Sequence, residues 1–166
     1  MASKTYQSLQ GNQYVIHQIL QNNAMESIVL DTNVISELMR SSPDQAVIDW
    51  FANRTDAFFY ISAITQAEIM LGIAVLPAGK RRESLANAAN LMFTQEFAGK
   101  CLPFDAAAAV NYSILVSNRR RSGHATTTED AMIASIAMAH GCSLATRNIK
   151  DFLFISGLTL LNPWQK

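Results

Sequence analysis

Apolar and polar positions fall in blocks along this chain, and the blocks change period. Ile28-Val29-Leu30 is a continuous apolar run that stops at Asp31, as in a short strand buried on both faces. Val34, Ile35 and Leu38 then recur at helical spacing, which puts Asp31 at the carboxyl end of a strand, in the turn entering a helix. Ser42-Pro43-Asp44-Gln45 reads as a capping box with proline at the first helical position, opening a helix that carries Val47, Ile48 and Phe51. Ala57 to Ile61 predicts a second buried strand. Ser62 or Thr65 caps the next helix, which runs through Ile64, Ala67, Leu71 and Val75 until Pro77 and Gly79 break it. Leu85, Ala88, Ala89, Met92, Phe93 and Phe97 mark another helix, and Cys101 to Phe104 a third strand. Asp105 caps a long helix bearing Ala109, Tyr112, Leu115 and Val116, which ends near Gly123. Thr127 or Thr128 begins a helix that stops at Gly141, a glycine suited to the C′ position. Ser143–Thr146 and Leu158–Leu161 are the fourth and fifth strands, with the Thr146–Phe152 segment between them reading as a loop.

Strands separated by helical patterns predict an α/β domain with a largely parallel sheet. In such a sheet the crossover helices run antiparallel to the strands. Helix N-termini and strand C-termini therefore share one edge, where ligand sites form. Residues 1–24 differ in texture, rich in Gln, Asn and Ser with one apolar island at Tyr14–Leu20. The domain is expected to span residues 25–166, with residues 1–24 an appendage of undetermined role.

Four carboxylates fall where this geometry gathers side chains. Asp31 ends the first strand, Glu68 lies early in the helix after the second, Asp130 opens the helix before the fourth, and Asp151 follows the fourth. Asp130 shares a helical face with Ile133, Ala134, Ala137 and Met138, and Glu68 one with Leu71, Gly72 and Val75. Both apolar faces are expected to turn toward the sheet. Each acid alone reads as a helix cap: Asp31 directly, and Thr65-x-x-Glu68 and Thr127-x-x-Asp130 as capping boxes. A cap contributes about 1 kcal/mol. Two carboxylates about 4 Å apart repel by roughly 4 kcal/mol at an effective dielectric near 20. Gathering several for capping alone is a poor arrangement, whereas a bound divalent cation reverses the sign. Hard oxygen ligands suit Mg²⁺ or Mn²⁺, which retain waters and need few protein ligands.

Composition narrows the classes. The chain has 166 residues and a formal net charge of zero, one domain's worth of core and no bulk sign of a nucleic-acid binder. Cys101 and Cys142 form no CxxC pair and read as small buried hydrophobes, in keeping with a reducing compartment. No apolar run reaches membrane length, and no secretory signal is evident, so a cytoplasmic location is expected. Three histidines without HExxH or zinc spacing, and the absence of GxSxG, Walker and GxGxxG motifs, leave the acids as the candidate chemistry.

The motifs IVLDTNVISELMR, ISAITQAEIMLGI, LPFDAAAAVNY, EDAMIASIAMAHG, LATRNIKDF and LLNPW, at residues 28–40, 61–73, 102–112, 129–141, 144–152 and 160–164, carry a resemblance. Together the chain resembles the PIN-domain ribonucleases, specifically VapC-type toxins of bacterial toxin–antitoxin pairs, in the FitB-like branch. The resemblance implies a PIN-like three-layer α/β/α domain with a mostly parallel five-stranded sheet. It also implies an acidic Mg²⁺ or Mn²⁺ site that cuts RNA endonucleolytically. Carried over by position, Asp31, Glu68 and Asp130 match the family's first three acids and are the expected metal ligands. Asp151 is the fourth catalytic candidate, although many relatives carry aspartate where this chain has Asn148. Thr32 and Asn33 match the polar pair that orients the first acid, and Asn148 joins them in that role. The family further implies a homodimer and a cognate antitoxin that inserts a segment across the site. DNA contact then comes only through that antitoxin, and no membrane is involved.

RNA is expected to be held by local basic groups: Arg147 and Lys150 beside the acidic edge, and Arg121 in the Arg119-Arg120-Arg121 run. Such runs at helix ends also occur simply as solvated, dipole-compatible charges. Competing readings are an aspartyl-phosphate phosphohydrolase, disfavoured because Asn33 stands where that chemistry needs a second aspartate, a PIN-like module that binds RNA or a partner without cutting, and a DNA nuclease.

Overall fold

The computed structural model describes residues 25–165; the expected appendage at residues 1–24 lies outside the described residues. The chain runs β1 Ser27–Leu30, α1 Thr32–Leu38, α2 Gln45–Ala52, β2 Phe58–Ser62, α3 Ala63–Ala74 and α4 Lys80–Leu91. It continues with β3 Cys101–Leu102, α5 Ala106–Arg121, α6 Thr128–Ala139, β4 Ser143–Ala145, α7 Ile149–Phe152 and β5 Leu160–Leu161. The strands form one sheet in the order β3-β2-β1-β4-β5, and every neighbouring pair is parallel. The expected mostly parallel sheet is thus wholly parallel.

Alternation along β1 divides the core into two layers. Ile28 and Leu30 pack with Val34 and Ile35 of α1, Trp50 of α2, Ile69 of α3 and Ala89 of α4. Val29 points the other way, to Leu115 of α5, Ala131, Ile133, Ala134 and Ala137 of α6, and Phe152 of α7. Helices on both faces of a parallel sheet make the three-layer α/β/α domain, and they explain why β1 is apolar at every position rather than at alternate ones.

Strand order carries the functional consequence. The chain moves outward from β1 through β2 to β3, then crosses back by way of α5 and α6 to place β4 on the other side of β1. The order therefore reverses between β1 and β4. A crevice opens at such a point beside the strand carboxyl ends, and Asp31 and Thr146 are the residues that follow those two strands.

Several local expectations shift. Asp44, not Ser42, caps α2 by accepting from the Ala46 amide, which leaves Pro43 outside the helix. The Cys101–Phe104 and Leu158–Leu161 runs shrink to two-residue strands. The Thr146–Phe152 segment holds a short helix rather than only a loop. α4 passes into a single π turn, Met92–Glu96, that brings Phe97 into the core. Cys101 is exposed and Cys142 buried, both as free thiols. Among the described residues no helix is long and apolar enough to cross a membrane.

Candidate active site

Asp31 begins as a helix cap and ends as more than one. Its backbone is extended, and Oδ1 accepts from the Thr32 amide at 2.8 Å. Its other oxygen does no capping: Oδ2 accepts from Asn33 Nδ2 and from Thr146 Oγ1, both at 2.6 Å. The residue is only 4% exposed. Three donors therefore fix the orientation of a buried carboxylate before any ligand arrives.

Thr146 joins the two halves of the sheet. Its hydroxyl, fully buried, donates to Asp31 and accepts from Asn33 Nδ2 at 3.1 Å and from the Asn148 amide at 2.9 Å. Asn33 closes the ring by accepting the Arg147 amide on Oδ1 at 3.0 Å. Thr32 and Asn33 thus both donate to Asp31, while Asn148 contributes its amide to Thr146. Sequence reading passed over Thr146 itself. Its signal was a polar residue ending an apolar strand at the same edge as Asp31.

Glu68 reaches the site through Thr32, whose hydroxyl donates to Glu68 Oε2 at 2.5 Å. The apolar face assigned to Glu68 is wrong. Leu71 and Val75 are 64% and 71% exposed, and the buried side of α3 carries Thr65 and Ile69. Helical position instead follows from Ser62, which ends β2 and accepts the Thr65 amide at 2.9 Å, setting Glu68 one turn into α3. Asp130 matches its expectation better. Thr127 caps α6 by accepting the Asp130 amide at 3.0 Å, and Ile133, Ala134 and Ala137 on that face are buried.

Burial is the main force pushing the Asp31 carboxyl above its ordinary value. The Thr146 and Thr32 hydrogen bonds pull it down, and the charges of Asp130 and Glu68 push it up again. Both acids therefore act on Asp31 electrostatically. They do not close a cage: among the described residues no three His, Cys, Asp or Glu side chains are gathered to hold a metal ion. The donor set is carboxylate oxygen throughout. It fits a hard ion that keeps most of its waters and takes one or two protein carboxylates, as Mg²⁺ does, better than one needing a complete protein cage.

Asp151 is exposed, and its carboxylate has no hydrogen bond or ion pair among the described residues; its backbone oxygen accepts from Arg119. Arg147 and Lys150 are exposed beside the switch point, the Arg147 guanidinium lying 5.2 Å above the Trp164 ring. Arg121 is exposed on α5. Arg119 departs from the expectation for its run, which is either a contact to RNA or a solvated charge. It is 4% exposed, and its guanidinium donates to the carbonyls of Leu153, Ala125 and Asp151 at 2.7, 2.8 and 3.0 Å. Glu37, a further buried acid, is occupied in structure, accepting the Asp44 amide and pairing with Arg40.

These features define an α/β domain with an oriented acid at the reversal of a parallel sheet. Residues 28–153 match the PIN domain, and the chain belongs to that family. It is similar to the VapC ribonuclease Y4jK of Sinorhizobium fredii, 43% identical over 138 residues that cover 83% of this chain and 98% of that one. Toxin FitB of Neisseria gonorrhoeae is 37% identical, covering 82% of this chain and 98% of that protein. In three dimensions the chain is similar to a structure of FitAB bound to an IR36 DNA fragment. There the TM-score is 0.75 at 37% identity, covering 84% of this chain and 96% of the other. The resemblance to the FitB-like branch is thereby borne out.

Proposed function

We propose that this protein is a metal-dependent endoribonuclease, the toxin of a toxin–antitoxin pair. The observation that carries the proposal is the Asp31 carboxylate: buried, aimed by Thr32, Asn33 and Thr146, and under the charges of Glu68 and Asp130. So much preparation around one acid exceeds what a helix cap requires. The names of the relatives point the same way.

Asp31 and Asp130 would hold Mg²⁺ or Mn²⁺, with Glu68 reaching it directly or through water. When bound, the ion supplies a water of lowered pKa and neutralises charge on the phosphate. The chain's own residues do the remainder. Thr146 and Asn33 keep Oδ2 of Asp31 from rotating, and Thr32 ties Glu68 to the same turn. Arg147 and Lys150 offer positive charge to the RNA backbone beside the edge, which the neutral overall balance does not provide. Asp151 of α7, or Asn148 just before it, would complete the site.

The same reading includes an antitoxin partner, in keeping with structural relatives solved as toxin–antitoxin complexes, some on DNA. DNA contact by this chain is then indirect, and the place of action is the cytoplasm. It also includes a homodimer, for which the exposed Leu71 of α3, Val75 just after it, and Val110 and Ile114 of α5 supply apolar surface.

The test combines cleavage with a readout independent of it. Purified protein is expected to cut RNA with Mg²⁺ or Mn²⁺ and to stop in EDTA. Either ion should also raise the melting temperature of the parent chain but not of Asp31→Asn, because a ligand bound only to the folded state stabilises it. Full activity surviving both EDTA and Asp31→Asn would rule out the metal mechanism. RNA binding without turnover in Mn²⁺ would favour a non-catalytic module.

A further inference from the structure

Phe154 is out of place by ordinary folding rules. It is 77% exposed, the most exposed of the large hydrophobic side chains among the described residues. It is also the one non-glycine residue among them with positive φ, at 64°. A bulky side chain in the left-handed region is strained, and here the strain does not serve to bury the ring. Its neighbour is a second ring: His124 lies with its centroid 4.9 Å from that of Phe154, tilted by 40°.

The support beneath this pair is built. Arg119, buried at the end of α5, donates 2.7 Å to the carbonyl of Leu153, the residue that precedes Phe154. The same guanidinium grips Ala125, just after His124, at 2.8 Å. One side chain thus fixes both backbone segments that present the rings. Among the described residues its Nε is the one buried side-chain nitrogen or oxygen without a partner, and no carboxylate pairs with Arg119 or Arg120. Against the His124 ring, and not lined by Phe154 itself, a cavity of about 230 Å³ is bounded by Arg119, Arg120 and the hydroxyl-bearing Thr126 to Thr128, with Tyr112 and Val116 on its apolar side. Thr127 is the cap that accepts the Asp130 amide, so the cavity adjoins the helix start that carries one of the candidate acids.

We propose that the Phe154–His124 pair is a stacking platform for one unpaired base of the RNA, with the adjoining phosphate received in the basic cavity of Arg119, Arg120 and Thr126–Thr128. The inference rests on the ribonuclease reading above and specifies its substrate as single-stranded at that position. An exposed aromatic beside a basic cavity is the combination by which single strands are gripped, since every base offers a π-face and every nucleotide a phosphate. A duplex would hold its bases in the stack, away from the ring.

Full-length Asp31→Asn protein, which should bind without cutting, is titrated with a short labelled unpaired oligoribonucleotide and with the same strand in a duplex. Adding Phe154→Asn, which keeps the left-handed backbone and deletes the ring, should weaken binding of the single strand about ten-fold and leave duplex binding unchanged. Phe154→Trp should restore affinity, and its added emission should be quenched on binding. Arg120→Ala should flatten the salt dependence of binding by about one phosphate contact. In an otherwise native chain Phe154→Asn should raise KM for unpaired RNA and spare kcat. If the native chain cuts RNA but Phe154→Asn changes neither affinity nor KM, the platform is refuted while the nuclease reading stands. If the native chain neither cuts nor binds RNA, that reading falls and takes the platform with it. Unchanged RNA binding with an altered oligomeric state would assign the ring to a protein interface instead and overturn the proposal.

Discussion

At the scale of single residues, the decisive feature is that Asp31 is oriented by groups it did not need for capping. Its carboxyl titrates above the ordinary 3.8, chiefly because it is buried. Below 3.8 it is protonated in folded and unfolded chains alike and contributes nothing. As pH rises past that value the unfolded chain ionises first, so stability falls until the folded carboxyl has ionised too. In EDTA at neutral pH, Asp31→Asn is therefore expected to melt above the parent, with the gap closing as pH approaches 4; a melting series across pH measures it. The same substitution should lower cleavage more than about 100-fold, as loss of a metal ligand does. Thr146→Val keeps the shape but removes the hydroxyl between Asp31, Asn33 and Asn148. It should cost about 1–3 kcal/mol in denaturant unfolding and lower cleavage roughly 10- to 100-fold, while Thr146→Ser should restore much of both.

At the scale of elements, side-chain caps place the site's acids along their helices. Ser62 sets α3 and Thr127 sets α6, each through a hydroxyl that accepts the amide three residues on. The sequence announced these caps because hydroxyl and carboxylate residues before apolar periodicity are a local signal. It misled at α2, where Ser42 and Asp44 compete within three residues and only the backbone decides which faces the free amides. Asp44→Ala is expected to destabilise the fold by about 1 kcal/mol, and Ser42→Ala by less than about 0.5 kcal/mol, in the same denaturant titration. Gly141 illustrates a correct local reading. At φ 63° it lets the Cys142 amide reach the Ala137 carbonyl at 2.9 Å and its own reach Met138 at 3.2 Å, closing α6 in a Schellman turn. Helix faces were less legible. Apolar spacing on α3 marked Leu71 and Val75, and both emerged on the surface. Periodicity shows that a face is apolar, not whether the sheet or another molecule covers it.

At the scale of the whole molecule, the sheet's reversal between β1 and β4 positions the candidate site, and the exposed apolar side chains of α3 and α5 are where the proposed homodimer is tested. A homodimer is expected to cover the exposed side chains of α3 and α5. Leu71→Glu with Ile114→Glu should then halve the mass measured by light scattering and leave the melting of dilute protein little changed. A parent chain that is already monomeric at high concentration would remove that expectation.

The sequence by itself determined the succession of the five strands and the six longer helices along the chain, the parallel α/β class and the place of Asp31 at the carboxyl end of β1, but not the short helix α7. Those follow from periodicity, caps and chain breakers, which act over a few residues. Only tertiary structure decided that Thr146 bonds Asp31 across a separation of 115 residues, that Arg119 is a buried clamp, and that Phe154 faces outward. Hydrogen bonds and packing between segments distant in the chain are set by strand order and by the depth at which each side chain comes to rest. Local spacing can mark a residue such as Thr146 at a strand end, but it does not name the partner that residue meets.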